Sequence, residues 1–205
     1  DNNYGSFSGQ LNEVLVFEDK LSTAQMDQVE SYLAIKYGTT YVAGLKDYKN
    51  TSGATVWSAT TNVGFGNNIA GIANDGSLNQ KQSWSTNTTK EVLISTTGLT
   101  NTNATNSTGL TAGQYLIWGD NGLAKAPSVP FSSIAGVSHR FASVWKVQNT
   151  STVGTVRIAW PKGLTNLTLI RSSDPTFAAG NVSSAMTLET TVNGVVYNYV
   201  DVTLN

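Results

Sequence analysis

Chemistry by general acid and base needs two titratable groups converging on one small volume, and this sequence supplies few of them. His139 is the single histidine. Arg140 follows it at the start of an expected strand, no serine sits in a Gly-x-Ser-x-Gly elbow, and no His-Glu-x-x-His helix occurs. His139 is therefore expected to be structural or solvent-facing. Glu13 and Glu18 come nearest to a carboxylate pair, but five positions apart around a strand end they face opposite sides. A solvated edge accounts for them, and the glutamate and aspartate pattern of a retaining glycosidase is absent. Cysteine is absent as well, which removes disulfides, thiolate metal sites and a thiol nucleophile together. The residues point to a chain that is not an enzyme.

Calcium would need several oxygen ligands on a tight loop, and three clusters come into view: Asn74-Asp75-Gly76, Asp120-Asn121-Gly122 and Ser172-Ser173-Asp174. None has the acidic density of an EF-type loop, and the first two match turn chemistry. No metal ligand is assigned, and structural calcium is the one cofactor left open. Carbohydrate recognition uses exposed rings beside amide and carboxylate side chains. Trp57, Trp118, Trp145 and Trp160 fall on expected strands, where burial is the default. Trp84 follows Lys81-Gln82-Ser83 in a polar stretch and is the best candidate for an exposed ring, or else the cover of a sheet edge. A glycan or peptide surface would thus draw on Trp84, Asn74, Asp75, Asp120 and Asn121.

These side chains need a scaffold, and the bulk numbers limit its kind. In 205 residues the charged share is 12% and the formal net charge is -1, against a usual charged share of roughly 25%. Such a chain has no electrostatic reason to seek nucleic acid or an anionic membrane. No apolar run reaches the length of a membrane-spanning helix, so membrane insertion is not expected. The polar, glycine-rich opening DNNYGSFSG is not a signal peptide and reads as the interior of a longer precursor.

Residues 10–17 (QLNEVLVF) alternate and then turn apolar, the pattern of a half-buried strand becoming fully buried. A helix follows, opened by a capping box of Ser22 and Gln25 and a staple of Leu21 and Met26, and closed by Gly38. Met26, Val29, Leu33 and Ile35 or Lys36 trace its expected buried face. Beyond it come short β-runs at 54–58, 69–73, 91–96, 114–118, 142–147, 153–160, 167–171, 185–189 and 195–204, with no helical period between them. Asn193-Gly194 between two alternating segments predicts a type I′ hairpin. The Thr- and Asn-rich run 100–108 has too little apolar surface for a core and predicts a mobile loop.

Four segments carry a resemblance: YLAIKYG at 32–38, NNIAGIANDGSLNQKQS at 67–83, YLIWGDNG at 115–122 and WKVQNT at 145–150. With them the chain resembles a repeated extracellular β-domain of large bacterial surface proteins, found in gliding Bacteroidetes that export by a type IX route and in marine Gammaproteobacteria. In those proteins the domain follows a LamG-type, concanavalin-like jelly-roll. The resemblance implies that residues 1–38 hold the closing strand and exit helix of such a jelly-roll, and that 39–205 form a β-sandwich domain truncated at its C-terminus. Relatives carry an aspartate-repeat loop where this chain has RSSDPTF at 171–177, so calcium implied there is expected to be lost.

The expected fold is all-β, an antiparallel sandwich of jelly-roll or Ig-like kind with one N-terminal helix. The expected function is a non-catalytic structural or adhesive module on the outer cell surface or in the extracellular space. Its expected partners are neighbouring domains of the same polypeptide, with a surface glycan or another surface protein as a further partner. A carbohydrate- or peptide-binding module is the alternative, and an accessory domain of a polysaccharide-active enzyme the remote one.

Overall fold

The computed structural model describes residues 8–41, 46–85 and 91–204. One helix, α1 (Thr23–Tyr37), precedes fifteen strands: β1 (Tyr48–Lys49), β2 (Thr55–Trp57), β3 (Asn67–Asp75), β4 (Leu78–Gln80), β5 (Gln82–Trp84), β6 (Leu93–Thr96), β7 (Gln114–Asp120) and β8 (Pro127–Pro130), then β9 (His139–Phe141), β10 (Trp145–Thr150), β11 (Gly154–Pro161), β12 (Thr168–Arg171), β13 (Val182–Ala185), β14 (Leu188–Val192) and β15 (Val195–Leu204). All pairings among the described residues are antiparallel. A four-stranded sheet runs β10-β7-β3-β4 and a five-stranded one β14-β15-β11-β6-β5, with two-stranded pairs β1-β2, β8-β9 and β12-β13 beside them. The fold is an all-β sandwich with one N-terminal helix.

Alternation along β3 and β7 sets the layers. Ala70, Ile72, Leu116 and Trp118 point one way and meet Ile94, Val156 and Val202 of the five-stranded sheet. Ile69, Ala73, Tyr115 and Ile117 point the other way and meet Ala34 and Ile35 of α1 with Tyr48, Val56 and Trp57. The four-stranded sheet is thus covered on both faces, which is why NNIAGIA and YLIWG read as nearly continuous apolar runs. Each fully buried Ile or Leu there contributes about 1.5–3 kcal/mol. Close packing also explains Gly119: a Cβ there would press on the Phe65 carbonyl oxygen, a backbone atom that cannot rotate aside.

Helix α1 begins and ends as its sequence dictates. Ser22 and Gln25 form both halves of the capping box, and Gly38 caps the C-terminus with φ +62°. Its buried face, however, is Ser31, Ala34 and Ile35, while Met26 is exposed. The polar Ser31 is what the apolar pattern missed: its Oγ donates to the Asp27 carbonyl and accepts the Lys49 N–H at 2.8 Å, tying the helix to β1.

Several other expectations need correcting. Residues 10–17 form no strand; Leu11, Val14 and Val16 are 71%, 68% and 88% exposed. A strand needs a neighbour for its backbone, and this run has none among the described residues. It is held instead by Glu13, which accepts from Lys36 Nζ at 2.9 Å, Tyr37 Oη at 2.8 Å and Tyr32 Oη at 3.0 Å on α1. Glu13 is therefore no solvated edge residue. The run expected at 185–189 breaks at the buried Met186, leaving β13 and β14 on either side. Trp145 and Trp160 are half-buried and packed edge to face at 5.9 Å, not fully buried. The hairpin at Asn193-Gly194 forms as expected, with φ +49° and +79° and Val192 opposite Val195.

Candidate functional site

Asn74 and Asp75 close β3. Asn74 Nδ2 donates to the Leu110 carbonyl at 2.7 Å. Asp75 accepts the N–H and hydroxyl of Thr51, both at 2.7 Å, and the Tyr115 hydroxyl. Burial alone would raise the Asp75 carboxyl, but the three donors outweigh it and hold the group below its ordinary value. Tyr115 is pushed up, first by burial and then by its bond to Asp75. A cavity of about 20 Å³ lies beside them under α1.

Asp120 closes β7 and Asn121 follows it. Asp120 is wholly buried and accepts from Asn68 Nδ2 and the Gly122 N–H, each at 2.8 Å. Lys125 Nζ lies 3.5 Å from it and 2.9 Å from Glu91, so one ammonium faces two carboxylates. Asn121 accepts the N–H groups of Leu123 and Val144 and donates to the Ala142 carbonyl. Its three bonds fix the chain as it leaves the sheet.

The register keeps these two sets apart. Asn67 faces Asp120 and Asn74 faces Gln114, so Asp75 and Asp120 lie at opposite ends of one ladder, roughly 25 Å apart at about 3.4 Å per residue. Trp84 stands on the other sheet. It is half-buried, its Nε1 donates to Tyr197 Oη at 3.4 Å, and its ring packs on the cluster of Leu93, Ala159, Val192 and Tyr197. That is the covered sheet edge. The five candidate residues share no common surface.

The polar tail Asn79 to Ser83 leads to a network that sequence reasoning missed. Gln82 is 1% exposed and pairs its side-chain amide with both backbone groups of Thr100. Asn103 Oδ1 accepts the Lys81 and Gln82 N–H groups, and its Nδ2 donates to the Asn79 carbonyl at 2.6 Å. Lys81 Nζ donates to the Asn106 carbonyl at 2.6 Å, and Asn106, wholly buried, donates to the Gly98 carbonyl. Residues 100–108 are thus an ordered strap with a 3-10 turn at Asn103–Thr105, contrary to the mobile loop expected. Amide side chains hold it where apolar ones would have been legible as core. The pairing of Gln82 with Thr100 spans 18 positions and leaves no periodic trace.

The remaining candidates are quickly placed. His139 is exposed, and its ring shares a hydrogen bond only with the Ser138 hydroxyl among the described residues. Asp174 spends both oxygens on its own loop, accepting from Thr176 twice and from the Ala178 and Ala179 N–H groups. The Thr176 hydroxyl, then its N–H, hold that carboxyl below its ordinary range. No group of three His, Asp or Glu side chains is gathered for a metal among the described residues. A shallow concavity of about 510 Å³ lies at the tip of the β8-β9 hairpin, lined by Pro130, Phe131, Ile134 and Val137 with small and serine residues and no titratable group.

One family's sequence profile, described as a domain of unknown function (DUF8202), matches residues 25–204. The chain belongs to that family. No curated protein and no solved structure matches it. The span that defines the DUF8202 family takes in nearly all of α1 and every strand, and it leaves out the exposed run 10–17.

Proposed function

We propose that the chain is a non-catalytic structural module of a large secreted or cell-surface bacterial protein, whose contacts are with neighbouring modules of the same polypeptide. The observation that carries this reading is the run from Leu11 to Phe17. Leu11, Val14, Leu15, Val16 and Phe17 are all exposed, the last four of them consecutive in the chain. Consecutive exposed apolar side chains mark an interaction surface, and a run of this kind taken up as a strand would be apolar on both sides and would need paired neighbours and cover above and below. The Glu13 clamp holds that run against α1, so a preceding β-sandwich that received it would be set at a fixed angle to this domain. The polar residues support the same reading, since Asp75, Asp120, Asn121, Gln82 and Asp174 are engaged in internal hydrogen bonds.

Cysteine labelling tests it, because the chain has no cysteine of its own. Val14→Cys and Val16→Cys are expected to react with a maleimide at the rate of a free thiol in the isolated chain, and far more slowly in the complete polypeptide. Equal rates in both would refute an interface at this run.

A further inference from the structure

Two Asn-Gly dipeptides occupy opposite states in this fold. At Asn121-Gly122 the side chain makes three hydrogen bonds, and the Gly122 N–H is donated to Asp120 at 2.8 Å. At Asn193-Gly194 both residues are exposed at the tip of the β14-β15 hairpin, and the Gly194 N–H has no acceptor among the described residues. Asn193 has another task. Its N–H donates to Asn101 Oδ1 at 2.8 Å and its Nδ2 donates to the Asn101 carbonyl at 3.0 Å. Among the described residues Asn101 has no other hydrogen-bond partner, so Asn193 ties the far end of the strap to the sheet.

We propose that Asn193 is a site of spontaneous deamidation, and that its modification loosens the strap at Asn101. The Gly194 nitrogen attacks Asn193 Cγ, a C–N bond forms, and Nδ2 leaves as ammonia with the proton from the Gly194 N–H. Water then opens the cyclic imide at either carbonyl, giving an aspartyl or an isoaspartyl residue. An NH has been exchanged for O, a gain of about 1 Da. Attack requires a free backbone nitrogen and a turn that can rotate, and a two-residue exposed tip is where a hairpin opens without disturbing its ladder. At Asn121 the same attack needs the Asp120 bond and three side-chain bonds to break first. The product places a carboxylate oxygen against the Asn101 carbonyl where a donor had been, so attraction becomes repulsion. The strap keeps its Gln82, Asn103 and Asn106 anchors and loosens at Asn101, beside Leu99, which packs on the apolar patch of Leu93, Val192 and Tyr197.

The test is peptide mapping by mass spectrometry of the purified chain held for weeks at neutral pH and physiological temperature. Asn193 is expected to convert to mixed aspartyl and isoaspartyl forms at least about ten times faster than Asn121, the ratio that one extra hydrogen bond to break would set. Asn193→Asp isolates the consequence, because Asp-Gly also favours the type I′ turn and preserves the hairpin. In that variant amide hydrogen exchange over 99–106 is expected to rise several-fold. Equal conversion at the two asparagines, or unchanged exchange in Asn193→Asp, would overturn the proposal.

Discussion

The side chain of Gln82 pairs with the backbone of Thr100 as a neighbouring strand would, donating to its carbonyl at 2.7 Å and accepting its N–H at 3.1 Å. With the bonds of Asn103 and Asn106, this relationship turns a threonine- and asparagine-rich run into a fixed strap. Gln82→Leu keeps the volume and removes both bonds, leaving two backbone groups of Thr100 without partners. The expected loss is about 2 kcal/mol in urea denaturation, with hydrogen exchange over 99–106 rising more than elsewhere.

Gly119 tests the packing of β7. Gly119→Ala drives a methyl group into the Phe65 carbonyl and is expected to cost about 3 kcal/mol, the upper part of the overpacking range. Gly163→Ala meets open space at a backbone without positive φ, and its midpoint is expected to stay or rise slightly. Thermal or urea melts of the pair separate a packing requirement from a general effect of alanine.

Asp75 predicts the acid limb of stability. Its folded-state value lies below the ordinary 3.8 because the donors Thr51 and Tyr115 outweigh its burial. As pH falls, the unfolded chain takes up this proton first, so the contribution is whole above about pH 4 and drains away as pH drops through the folded value. Asp75→Asn should lower stability at neutral pH and flatten the decline below about pH 4, read from urea midpoints across that range.

Lys125 carries the charge balance around Asp120. Lys125→Met leaves a wholly buried carboxylate with only neutral donors and is expected to cost about 3 kcal/mol. Adding Asp120→Asn should recover part of that loss, since the amide no longer needs a cation. A double-mutant cycle at neutral pH measures the coupling.

Much of this was legible in the sequence, and the rest was hidden for physical reasons. Local signals succeeded: Ser22, Gln25 and Gly38 framed the helix, and Asn193-Gly194 placed its turn, because each acts over a few residues. Residues 69–73 and 114–118 announced strands because both faces of that sheet are buried. Non-local pairing stayed invisible. Nothing in spacing brings Gln82 to Thr100, Lys125 to Asp120 or Asn193 to Asn101, and amides that hold a loop look in sequence like amides in solvent. Trp84 was singled out for its polar neighbours, yet the register of β5 against β6 is what lays its ring over Leu93. The run 10–17 is apolar as expected but unpaired among the described residues, since pairing depends on a partner that no single segment encodes.

The proposed role of this domain requires that run to be one side of an interface between modules. Hydrogen exchange measured on the isolated chain and on the complete polypeptide tests this most directly. Amides from Leu11 to Phe17 are expected to be unprotected in the isolated chain and as protected as the β3 amides in the complete polypeptide. Amides that stay unprotected in both would contradict it.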